Sequence, residues 1–94
     1  MKLEWTRFAL ADRNNIFDYI VEDNPPAAVA VDNRIQEQVK QLTAFPESGR
    51  PGRIEGTREL VITHTPYLAA YSITGDTVYI LRILHGAQMW PDNF

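Results

Sequence analysis

The hydrophobic period of this chain changes once, and that change fixes the order in which helices and strands can occur. Before residue 45 the apolar residues recur at helical spacing. Ala9, Ile16 and Ile20 fall on one stripe, interrupted by Arg13, and Ala28, Val31, Ile35, Val39 and Leu42 form a second. Residues 45–52, FPESGRPG, are a loop by their proline and glycine content. Beyond the loop the period is two. Residues 59–63, 67–73 and 78–84 each suit a strand, and Gly75 is available for a positive φ in the tight turn between the last two. If the last strand is regular, Tyr79, Leu81, Ile83 and His85 share one face and Val78, Ile80, Arg82 and Leu84 the other. Both faces are largely apolar, so this strand is expected to be central and covered.

Local signals sharpen the helical half. Residues 2–5 alternate polar and apolar and suit a short first strand. Thr6 can cap the first helix through its hydroxyl, which is expected to end near Glu22. Pro25 disfavours helical geometry at Asn24 but fits the first turn of a second helix, with Asn24 as its cap. The expected fold is therefore α+β: a short N-terminal strand, an antiparallel helical hairpin, then a three-stranded antiparallel meander with the helices on one side. At 94 residues the chain is expected to be a single domain.

Composition excludes several functions. Cysteine is absent, which removes disulfides, zinc–thiolate sites and thiol catalysis. No His/Asp/Glu cluster has metal-ligand spacing and no phosphate-binding glycine motif occurs, so neither metal nor cofactor is expected. No apolar run approaches a membrane span and no hydrophobic signal core opens the chain, so a cytoplasmic location is expected. The net charge is −3, without the basic excess of a protein that grips nucleic acid through phosphates.

The elements NPPAA, GRPG, GTREL, PYLAAYSI and RILHGAQMWP stand in this order between Trp5 and Pro91. Together they resemble the RelE/ParE family of bacterial toxins, across nearly the whole chain. The resemblance implies the toxin half of a type II toxin–antitoxin module, neutralised by a cognate antitoxin whose C-terminal segment wraps the toxin. Operator DNA would be bound only through the antitoxin. The family divides into ParE-type inhibitors of DNA gyrase and RelE-type endoribonucleases that cut mRNA on the ribosome. In the RelE type an arginine follows the tyrosine that opens the second meander strand; here Tyr67 is followed by Leu68. The family's basic pair on the preceding strand is reduced to Arg58. The run Arg82-Ile-Leu-His85 is similar to the ParE branch. Gyrase inhibition is thus the favoured expectation, and the ribosome-dependent endoribonuclease is the alternative. In the alternative, Arg58, Arg82 and His85 would form the catalytic set, supplying cations for the scissile phosphate and an acid–base group.

Each of these residues also has a structural reading. His85 suits a structural histidine that closes its strand, and this reading outweighs the catalytic one. Arg82, inside an apolar strand, needs a carboxylate partner or a cleft. Arg58 could form a surface ion pair with Glu55 or Glu59. Arg50 and Arg53 are expected to be exposed, and His64 to be a solvated turn residue. Tyr67, Tyr71 and Tyr79 are expected to pack on the sheet. Met89, Trp90 and Phe94 form an apolar tail, with Trp90 expected to cap the core end.

Overall fold

The computed structural model of the chain describes residues 1–86. Its elements are β1 (Lys2–Trp5), α1 (Arg7–Val21), α2 (Pro25–Lys40) with a 3-10 turn over Gln41–Thr43, β2 (Arg50–Pro51), β3 (Arg58–Val61), β4 (Tyr67–Thr74) and β5 (Thr77–His85). Both expected caps form. The Thr6 hydroxyl accepts from the Ala9 amide, and the Asn24 side chain accepts from the Ala27 amide ahead of Pro25 and Pro26.

The strands make one sheet in the order β1-β5-β4-β3-β2. β3, β4 and β5 are the antiparallel meander. β1 lies against β5 in parallel, with Leu3 opposite Val78 and Trp5 opposite Ile80. The first half of β5, Thr77 to Ile80, is therefore flanked on both sides, as its apolar character requires. The expected loop at 45–52 ends in β2. Pro51 is tolerated there because β2 lies at the sheet edge, where no outward N–H is needed. Gly75 opens the two-residue β4–β5 turn at φ 60°.

The helical hairpin covers one sheet face. Ala9 of α1, Ile35 and Val39 of α2, and Leu42 pack on Ala69, Tyr71, Val78, Ile80 and Ile83. Arg13, which breaks the α1 stripe, joins the two helices. It pairs with Asp32 at 3.1 Å and lies over the Trp5 ring.

One expectation about β5 is overturned. The β4–β5 register runs from Tyr71 opposite Ile80 directly to Ala70 opposite Arg82, so Leu81 is an extra residue, a β-bulge. Residues beyond it exchange faces. Ile83 joins Val78 and Ile80 in the core, instead of facing away with Tyr79. By the same parity His85 lies on the helix side. A bulge has no hydrophobic signature, so a regular alternation places these residues wrongly. Met89, Trp90 and Phe94 lie outside the described residues.

Candidate functional site

The bulge is gripped by α1. Strand β1 ends at Trp5 opposite Ile80, and from there the free side of β5 runs past the start of α1. Side chains replace the missing strand. The Thr6 amide donates to the Ile80 carbonyl at 3.0 Å, and the Thr6 hydroxyl donates to the Leu81 carbonyl at 3.0 Å. Nearly two turns further on, Asp12 Oδ2 accepts from the Ile83 amide at 2.9 Å. The same carboxylate takes Arg82 side-on, Nε to Oδ2 at 2.8 Å and Nη2 to Oδ1 at 3.0 Å. This bidentate bond, more than the opposing desolvation, raises the Arg82 pKa and keeps it charged. The ion pair that an arginine inside an apolar strand demands is thus present. Asp12 was not singled out from the sequence. It sits beside Arg13 midway between Ala9 and Ile16, an acid on the inward side of α1, and that position was the available signal.

Around this pair lies a cavity of about 320 Å³, lined by Asp12, Asn15, Ile16, Tyr67, Arg82, Ile83 and His85. The Tyr67 and His85 rings meet edge to face, 5.7 Å between centroids and 83° between planes. Burial, with a smaller contribution from Tyr19, pushes the Tyr67 hydroxyl above its usual pKa, so it is a neutral hydrogen-bond donor at physiological pH. The bulge is what brings His85 here, since a regular β5 would turn it to the other face.

Arg58 lies elsewhere. It stands opposite Tyr71, two strands from β5, whereas His85 stands opposite Tyr67. The separation is about 13 Å along the sheet and about 9 Å across it. The Arg58 guanidinium donates to the Gly49 carbonyl at 2.8 Å and the Glu47 carbonyl at 3.3 Å. The ion pair with Glu55 or Glu59 that stood as one reading of Arg58 does not form; Glu59, 5% exposed, takes Arg50 at 2.5 Å instead. Arg50 is accordingly not a bare solubilising charge. Its β2 position, directly opposite Glu59, sets up this contact. Of the three sequence-predicted site residues, then, Arg82 and His85 share a cavity and Arg58 does not. Among the described residues no group of three or more acidic or histidine side chains could hold a metal ion, and no helix is long and apolar enough to cross a membrane.

A helical hairpin laid on one face of a five-stranded sheet, with a parallel β1 beside an antiparallel meander, is the architecture of the RelE/ParE toxin fold. The chain belongs to the ParE toxin family of type II toxin–antitoxin systems, whose family model matches residues 3–90. It is the toxin half of such a module, with a cognate antitoxin as partner. The protein Y4kP of Sinorhizobium fredii is 46% identical over 90 residues, which is 96% of this chain and 93% of that protein. Toxin RelE2 of Caulobacter vibrioides is 38% identical over 85 residues, 90% of this chain and 94% of its own. Among solved structures, a chain of the chromosomal ParDE toxin–antitoxin system from P. aeruginosa superposes with a TM-score of 0.83 at 38% identity, covering 90% of this chain and 95% of that one.

Proposed function

We propose that this toxin arrests growth by binding and inhibiting DNA gyrase, without a catalytic centre of its own. The observation that carries the reading is the engagement of its cations. Cleaving RNA requires positive charge held against a scissile phosphate. Arg82 faces a carboxylate that offsets its charge, and Arg58 is tied to two carbonyls two strands away from His85. The net charge of −3 agrees with a protein target rather than a ribosomal one. Family membership supports the same branch.

The alternative is a ribosome-dependent mRNA endoribonuclease using Arg58, Arg82 and His85. The presence of Arg82, His85 and Tyr67 in one cavity, and the name of the RelE2 relative, favour it. Purified toxin separates the two. It should inhibit gyrase supercoiling of relaxed plasmid in a dose-dependent way and leave ribosome-bound mRNA intact. Cleaved mRNA with unimpaired supercoiling would overturn the gyrase reading.

A further inference from the structure

We propose that Asp12 is the positioning residue of the β5 cavity. It holds the bulge that decides which face of β5 His85 presents, and so builds the cavity that Arg82, Tyr67 and His85 share, through which the toxin acts.

The argument starts from backbone accounting. The Gly86 amide donates to the Pro66 carbonyl, so in the β4–β5 ladder the hydrogen-bonded pairs are those in step with Gly86 and Pro66. Ile83, opposite Ala69, is out of step with them. Its N–H points away from β4, toward the side where β1 has already ended. A part-buried amide there needs an acceptor, and Asp12 is the one it has. Asp12 also meets the charge of Arg82, whose side chain is 23% exposed. One carboxylate thus satisfies two groups that the bulge would otherwise leave without partners, and it does so from the middle of α1, a rigid support.

Removing Asp12 leaves an orphan amide and an uncompensated cation at the same place. The relaxation open to β5 is to take Leu81 back into regular pairing. That move exchanges the faces of every residue after it. His85 would leave Tyr67 and the cavity, and Ile83 would leave the core. The move also costs the Thr6 bond to the Leu81 carbonyl, so Thr6 secures the bulge residue while Asp12 secures the two residues after it. The proposal is independent of which target the toxin has, since its functional readout is growth arrest.

The test compares Asp12→Ala, Asp12→Asn and Arg82→Ala in the full-length toxin. The contact between the Tyr67 and His85 rings is read by NMR, and potency by the inducer dose that halts growth. Asn keeps a carbonyl oxygen for the Ile83 amide, whereas Ala keeps none. Asp12→Ala should lose the ring contact and need about tenfold more toxin, a change of about 1.4 kcal/mol. Asp12→Asn should keep the contact and lose about threefold in potency. Arg82→Ala should also keep the contact, because the Asp12–Ile83 bond survives. A folded Asp12→Ala protein that keeps the ring contact, or that loses it at unchanged potency, would overturn the proposal. If Asp12→Ala does not fold, the other two variants decide. Loss of the contact in Arg82→Ala but not in Asp12→Asn would make Arg82, not Asp12, the holder.

Discussion

Tyr71 is completely buried, and its hydroxyl donates to the Pro46 carbonyl at 2.7 Å while accepting from the Gly49 amide at 2.9 Å. It thereby ties the 45–52 loop to the sheet. Tyr71→Phe strands both loop groups and should destabilise the protein by about 1–3 kcal/mol in urea unfolding. Gly49→Ala should do similar damage for a steric reason, because an added Cβ would lie 2.6 Å from the Tyr71 oxygen and 2.9 Å from the Glu59 carbonyl. His64 is exposed, as the sequence suggests, but it holds φ 64° between two strands. A β-branched side chain is poorly accommodated there, so His64→Val should cost about 1–2 kcal/mol while His64→Gly should cost nothing. Burial also sets a pH limit. It raises the Tyr67 and Tyr71 hydroxyls above the ordinary value of 10.0, partly opposed at Tyr71 by its bond to Gly49. The folded state therefore favours the protonated phenols. Their contribution is complete below the unfolded pKa and is lost as pH rises through the folded one. Urea midpoints should hold to roughly pH 9 and fall beyond about pH 10.

At the scale of elements, what the sequence discloses follows from what leaves a periodic mark. Helices α1 and α2 announce themselves by stripes and caps, and the meander by its period of two. The β1–β5 parallel pairing leaves no such mark, since four residues of alternation say nothing about their neighbour. The bulge at Leu81 is hidden for a sharper reason: it is stabilised by Thr6 and Asp12, about 70 residues away, and its own sequence is indistinguishable from a regular apolar strand. Arg82 was legible as a problem needing a carboxylate, but which carboxylate depends on the packing of α1. Arg58 is legible only as a candidate catalytic cation or a surface ion pair, because its acceptors are backbone carbonyls, which composition does not reveal. The turn after β3 holds another device invisible to pattern. The Gln38 amide of α2 pairs with both backbone groups of Thr63, accepting at 2.9 Å and donating at 3.4 Å, as a neighbouring strand would. Gln38→Ala should speed hydrogen exchange at the Thr63 amide and lower stability by about 1 kcal/mol, while leaving the core protected.

At the scale of the whole molecule, the fold places the two halves of the sequence in different roles. The helical hairpin supplies the apolar cover and, through Thr6 and Asp12, the clamp on β5. The sheet supplies the cavity where β4 starts and β5 ends. The family assignment makes the protein a toxin with an antitoxin partner, and the engaged cations favour inhibition by binding over catalysis. That claim is tested most directly in cells carrying the toxin alone, by pulse-labelling DNA and protein synthesis in the first minutes after induction. The gyrase account predicts that DNA synthesis falls first and the DNA-damage response rises while protein synthesis continues. Collapse of protein synthesis ahead of any change in DNA synthesis would contradict it, and would return Arg58, Arg82 and His85 to the first rank of residues to test as an RNA-cleaving site.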